Sequence, residues 1–174
     1  MTEITALSER GYYDADLDQE ALIEKLQFLV FQSGNGMYGV NILETHEILK
    51  PVAVTRLPNV ESEVLGVINL RGNIIPVIDI LKKFSGDYAE ITDSTRIVVC
   101  TWQEKNLGLL VDRVVEVASV AEEDIESPEV KGLSNQYLKG VGRSNERIFL
   151  IFNLAILFSK QTADTQDEEG LLEA

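Results

Sequence analysis

The sequence predicts an all-β chain made of two related barrels, each of about five short strands. Two observations predict it. The first is an internal repeat. Residues 66–84, GVINLRGNIIPVIDILKKF, and residues 140–158, GVGRSNERIFLIFNLAILF, both open on Gly-Val and cross a polar turn. Both then run through a dense apolar strand to Asp79 or Asn153 and close on a short apolar stretch ending in Phe. Upstream, residues 28–49 match residues 97–118, with Gly39 over Gly108 and Glu47 over Glu116. The offset is 69 upstream and 74 downstream, so the second copy carries five extra residues between its parts. The second observation is spacing. Short runs of β-forming residues are separated by turn signals every 8–12 residues or so, which indicates a small barrel rather than alternating strands and helices. The pseudo-repeats, 28–84 and 97–158, imply two intertwined barrel subdomains with a groove between them and short helical segments attached.

Residues 1–24 read as an acidic N-terminal arm, mostly disordered, in which Asp18 could cap a short helix. The folded part begins at residue 25. LQFLVFQ is a strand with imperfect alternation. Ser33-Gly34-Asn35-Gly36 predicts a hairpin through its Asn-Gly pair, because primed turns need positive φ. MYGVNI is the returning strand. LETHEIL reads as a short helix or a bent strand, and its counterpart DRVVEVA favours the strand. Residues 52–58, VAVTRLP, read as a further strand stopped by Pro58. After a polar turn at 59–63 comes VLGVINL, then the turn Arg71-Gly72-Asn73, then IIPVIDI. Pro76 within that run predicts an edge strand or a bulge, since proline cannot donate to a ladder. Asp79 and Asn153 are placed to cap the helical stretches 80–84 and 154–158. Residues 85–94 form a polar linker. Residues 121–133 are an acidic irregular stretch of the second copy, and 160–174 an acidic C-terminal tail.

Of the 174 residues, 45% are hydrophobic, enough for a real core. The net charge of −14 is uneven: −6 in residues 1–24, −4 in 160–174 and −4 across everything between. Such tails are solvated and favour solubility. A nearly balanced body without a basic stripe does not suit a phosphate backbone, so nucleic acid is not an expected partner. No apolar run approaches about 18 residues, so no membrane-spanning helix is expected. The N-terminus has no basic region followed by an apolar stretch, so no secretory leader is expected. The single cysteine, Cys100, cannot form an internal disulfide and fits a reducing cytosol.

Catalytic groupings do not emerge. His46 is the only histidine and falls in a different repeat from Cys100, which reads as a buried strand residue. One Cys and one His are too few for zinc. No acid pair is singled out, and neither a Walker loop nor G-x-G-x-x-G is present. The chain is therefore expected to be no enzyme, with no catalytic residue, metal or cofactor. A small enzyme on a barrel scaffold is the distant alternative. A binding role leaves Arg71 as the residue of interest. It sits at a hairpin turn, and the second copy has Asn145 there. Arg71 is either a solvated turn charge or an arginine held toward the groove by Glu47 in a guanidinium–carboxylate fork.

The stretches YGVNILETHEIL, VTRLPN, GVINLRGNIIPVIDILKKF, GLLVDRVVEV and YLKGVG, in that order, resemble the CheW family of bacterial chemotaxis adaptors. The likeness covers roughly residues 25–159. The resemblance implies two tandem SH3-like five-stranded barrels sharing a hydrophobic core. It also implies a non-catalytic cytoplasmic scaffold that couples the cytoplasmic tip of chemoreceptors (methyl-accepting chemotaxis proteins) to the regulatory domain of the histidine kinase CheA, at membrane-associated receptor arrays. The receptor contacts it implies are Thr45, His46, Glu47, Asn69, Leu70 and Arg71, with Gly66, Val67 and Gly72 on the motif strand beside them. No kinase-contact residue is implied. A close alternative is an adaptor for a non-flagellar chemosensory system, such as one driving pilus-based twitching.

Overall fold

In a computed structural model of the chain, residues 24–129 and 136–159 are described. The acidic arm, the C-terminal tail and residues 130–135 lie outside them, together with the expectations made there. Ten strands follow one another: β1 (Lys25–Ser33), β2 (Gly36–Asn41), β3 (Thr45–Leu49), β4 (Val64–Leu70), β5 (Asn73–Asp79), β6 (Arg96–Trp102), β7 (Lys105–Val111), β8 (Arg113–Ala121), β9 (Leu138–Ser144) and β10 (Arg147–Phe152). Helix α1 (Ile80–Ser85) follows β5, and residues 154–159 are helical after β10. Single 3-10 turns precede β3 (Ile42–Glu44) and follow β8 (Glu122–Asp124).

The strands form two five-stranded curled sheets, ordered β8-β1-β2-β10-β9 and β3-β6-β7-β5-β4. Adding five to each strand number, cyclically, turns the first order into the second. The repeat thus describes the fold strand by strand, but a copy is not a barrel: each sheet takes two strands from one copy and three from the other. Irregularities repeat as well. Between β3 and β6, Thr45 faces Cys100 and Glu47 faces Val99, so His46 is bulged out. Between β8 and β1, Val115 is skipped in the same way. Gly39 faces Ile151 and Gly108 faces Val77 in the two parallel junctions.

Burial follows from this weave. Phe28 and Val30 point into the first barrel with Phe149 and Ile151, whereas Leu29 and Phe31 point into a cluster shared by both sheets. Both faces of β1 are covered, so its sequence is a continuous apolar run, as in doubly covered sheets. The second barrel has its own interior of Ile68, Ile75, Val77, Ile97, Val99 and Leu110. The shared cluster between the barrels includes Val98, Cys100 and Leu109 from one sheet and Tyr38, Val40 and Phe152 from the other.

Three local expectations need correction. The first hairpin turns on Gly34-Asn35, because Ser33 pairs with Gly36, and only Gly34 of that pair has positive φ (58°). Residues 52–58 are not a strand. Only Thr55 pairs, exchanging two 2.8 Å bonds with Val67. That bridge also explains Pro76. β5 is an interior strand between β4 and β7, not an edge. Pro76 faces Val67, whose own N–H and C=O are spent on Thr55, so β4 asks nothing of the missing proline donor. The parallel ladder to β7 starts one residue later, at Val77.

The stretch LETHEIL is both readings in sequence: a 3-10 turn capped by Asn41 Oδ1, which accepts from Leu43 at 2.9 Å, then strand β3. Asp79 caps α1 as expected, accepting from the Lys82 N–H at 3.2 Å. Its other oxygen accepts from the Ala89 N–H at 2.9 Å, so this buried carboxylate also anchors the linker. Asn153 starts the second helix through its backbone carbonyl, which accepts from Ile156 and Leu157.

Candidate functional site

The outer strands of the second sheet, β3 and β4, share no ladder among the described residues. A side-chain contact nevertheless links them, because Arg71, in the turn after β4, reaches Glu47 of β3. The β4–β5 turn places Arg71 and Gly72 at φ 52° and 86°. Two consecutive positive φ values define the primed turn that matches strand twist. An arginine rather than a glycine at the first of them costs about 1 kcal/mol. Asn69 offsets part of that cost, since its Oδ1 accepts from the Gly72 N–H at 2.9 Å. The second copy makes the same turn with Asn145 and Glu146 at φ 48° and 66°.

Arg71 Nη2 donates to Glu47 Oε1 at 2.9 Å. The contact is a single hydrogen bond rather than the two-pronged fork expected from the sequence. Glu47 is the next paired residue after the His46 bulge, which re-aims the strand at this point. The Arg71 side chain is 70% exposed and that of Glu47 24%. Glu47 Oε2 is buried and accepts no hydrogen bond. In such a setting the pair itself contributes about 0–1 kcal/mol to folding.

The remaining candidates gather at the same corner. His46 is exposed on the bulge, while Thr45 is half-buried and its hydroxyl donates to the Asn41 carbonyl at 3.2 Å. Asn69 is exposed and Leu70 half-buried at the end of β4. Two apolar side chains stand exposed on the same sheet: Ile48, beside Glu47, and Ile74, which faces Asn69 across the hairpin. All six candidates therefore belong to one barrel. They do not line either of two crevices at the junction of the sheets, around α1, and the partner of Arg71, Glu47, stands on the same barrel.

Gly66 and Gly72 differ in their reasons. Gly72 supplies positive φ with open space around it. Gly66, at φ 145°, lies where the chain at Thr55 crosses β4, and a Cβ there would come within 2.0 Å of the Thr55 carbonyl oxygen. Val67 provides the bridge to Thr55. Sequence reasoning found the glycine but not this crossing, and the only signal for it is the polar turn before β4.

His46 and Cys100 fall in different repeats, yet the β3–β6 ladder brings their backbones together, with Thr45 facing Cys100. Their side chains part: His46 is exposed and Cys100 is fully buried, its thiol directed to the Val98 carbonyl at 4.0 Å. Burial, with the nearby Glu44 charge adding to it, pushes the Cys100 thiol far above its ordinary pKa. The thiolate is the reactive form. Native protein at pH 8 is therefore expected to resist alkylation, and denatured protein to be labelled fully. Rapid labelling of the native protein, followed by mass spectrometry, would contradict this burial.

The family model described as "CheW-like domain" matches residues 27–162. The chain is 34% identical over 143 residues to the chemotaxis protein CheW of Helicobacter pylori, covering 82% of this chain and 87% of that protein. It is 35% identical to chemotaxis protein CheW of Klebsiella aerogenes, covering 78% and 82%. Protein FrzA of Myxococcus xanthus is 29% identical, with 79% and 86% covered. A crystal structure of the scaffolding protein TtCheW from Thermoanaerobacter tengcongensis superposes with a TM-score of 0.69 at 31% identity, covering 75% of this chain and 90% of that one.

Proposed function

Because the chain belongs to the CheW-like domain family, we propose that it is a non-catalytic adaptor that couples chemoreceptors to the histidine kinase CheA. The observation that supports this most is the corner of the second barrel. It combines an exposed arginine at a strained turn, a partly buried carboxylate that orients it, and exposed Ile48 and Ile74 alongside. Fixed charge beside uncovered apolar surface suits a helical partner that buries one apolar stripe and needs its register set. On this reading, Thr45, His46, Glu47, Asn69, Leu70 and Arg71 receive the cytoplasmic hairpin tip of a receptor. The tip's apolar stripe covers Ile48 and Ile74, and Arg71 sets orientation.

Coupling needs a second surface, for the kinase. The repeat offsets carry Ile48 onto Val117 and Ile74 onto Ile148, and both are again exposed, on the other barrel. An apolar pair is thus offered once per barrel, which supports a scaffold touched from two sides. Each contact would bury an area near the low end of the ~1,200–2,000 Å² of specific complexes. Avidity within a membrane-associated array would supply the remaining affinity.

Arg71→Ala tests the receptor surface. The unfolding midpoint is expected to stay within about 3 °C of the parent, since an exposed pair contributes little. Affinity for a soluble receptor hairpin fragment, and receptor-dependent stimulation of CheA, are expected to fall about tenfold or more, as for an arginine at the centre of an interface. Unchanged binding by a folded variant would remove the assignment. A second reading, an adaptor for a non-flagellar chemosensory system, is favoured by the FrzA relative, whose name is not that of a chemotaxis protein. Co-purification from native cytosol, followed by identification of the captured receptor and kinase, separates the two.

A further inference from the structure

The two corners that carry the exposed apolar pairs are built alike but charged differently. The repeat offsets carry Glu47 onto Glu116, the bulged His46 onto the bulged Val115, and Arg71 onto Asn145. The corner of the first barrel has no titratable residue at its bulge and no cation at its turn positions 145 and 146. The corner of the second barrel has both, and His46 is the only histidine of the chain.

The bulge takes His46 out of the β3–β6 pairing, between Thr45, which faces Cys100, and Glu47, which faces Val99. A bulge re-aims the side chain it carries, and that of His46 is exposed. Its neighbours are already engaged, Thr45 with the Asn41 carbonyl and Glu47 with Arg71. The His46 side chain makes no hydrogen bond or ion pair among the described residues. The charges around it are few. Glu44 stands two residues earlier in the 3-10 turn, Glu47 is next in the strand, and Lys50 follows the end of β3. Arg71 reaches Glu47 from the turn after β4. Strand β4 itself carries no charged side chain, and Arg56 lies on the segment that crosses it. Opposite β3, strand β6 offers Val98, Val99 and Cys100. Burial pushes that thiol far above its ordinary pKa, so it stays uncharged.

We propose that His46 makes receptor engagement depend on pH, because its imidazolium form adds a second cation to the corner that Arg71 occupies. The inference rests on the adaptor reading, in which Arg71 meets a hydrogen-bond acceptor of the receptor tip. Histidine is the side chain whose charge ordinarily changes between about pH 5 and 8. The gain in affinity is therefore present on the acid side and is lost as the pH rises. A unit charge added about 6 Å from a partner's charged acceptor changes affinity about threefold in high dielectric. Salt weakens the effect.

Affinity for a soluble fragment of the receptor's cytoplasmic hairpin is measured by calorimetry at about pH 6 and about pH 8, at low ionic strength, for the parent, His46→Gln and His46→Lys. Glutamine is neutral and lysine charged at both values. Comparing the three proteins at each pH removes the titration of the fragment itself. The site is an exposed bulge, so both variants are expected to fold. The parent is expected to match His46→Lys at the lower pH and His46→Gln at the higher, with about threefold between the two variants. A parent that keeps one fixed ratio to His46→Gln at both pH values, or two variants of equal affinity, would overturn the role of His46 and leave the receptor site standing. A fragment that binds none of the three proteins would overturn the adaptor reading and this inference with it.

Discussion

Ile75→Asp is expected to abolish cooperative folding. Ile75 is 1% exposed and lies in the interior of the second barrel with Ile68, Val77, Ile97, Val99 and Leu110, none of which can pair with a carboxylate. Truncating a buried isoleucine costs about 2–5 kcal/mol through lost transfer and the cavity left behind. Burying an unpaired carboxylate adds an effective penalty of several kcal/mol more. Together these reach the ~5–15 kcal/mol that hold a domain folded. Loss of a sigmoidal thermal transition is the expected readout. Ile75→Val serves as the control, because it removes one methyl and should cost about 0.5–1.5 kcal/mol. A melting curve for Ile75→Asp close to that of the parent would mean that this side chain does not lie in the barrel.

Gly66→Ala is expected to destabilise by about 3 kcal/mol or more, a size reserved for a few named mechanisms, two of which act together here. The backbone at φ 145° disfavours any side chain, and the added Cβ would meet the Thr55 carbonyl oxygen at 2.0 Å. The atom in the way is backbone, so it cannot rotate aside. Relief requires the 52–58 segment to lift, which breaks both bonds of the Thr55–Val67 bridge. Gly72→Ala gives the comparison. Its φ of 86° is also left-handed, but nothing lies within 4 Å of the added carbon, so only conformational strain of about 1 kcal/mol remains. Chemical denaturation should rank the two in that order. Equal effects would show that the chain crossing over β4 is not as tight as described.

Much of this was legible in the residues, and the failures share a cause. Strand runs, hairpin turns and the Asp79 cap were readable because each depends on a few neighbouring residues. The residues alone put the β1–β2 turn one position late, since Gly34-Asn35 and Asn35-Gly36 are both acceptable primed pairs until the register is known. Residues 52–58 look like a strand because Val52, Val54 and Leu57 are apolar, yet only Thr55 finds a partner. Pro76 argued for an edge because the donor it lacks is normally required. The structure removes the requirement by turning Val67 toward Thr55.

The candidate corner shows the same division. Glu47 and Arg71 stood out from the repeat and the turn, and they do meet, but as one exposed bond and on a single barrel. The His46 bulge was invisible, although its twin at Val115 shows it to be built into the repeat. A bulge changes which residue faces which across a ladder, and no local pattern records that.

That this chain is all-β, duplicated and capped at Asp79 can be read from its residues alone, because burial and capping act over a few adjacent residues. Long-range pairing was needed to establish that each barrel borrows strands from the other copy, that Pro76 is interior, and that Arg71 reaches from the turn after β4 to Glu47 of β3. Apolar patterning specifies that a strand face must be covered. It does not name the strand that covers it, since a ladder bond has the same chemistry whether its partner is near or far along the chain.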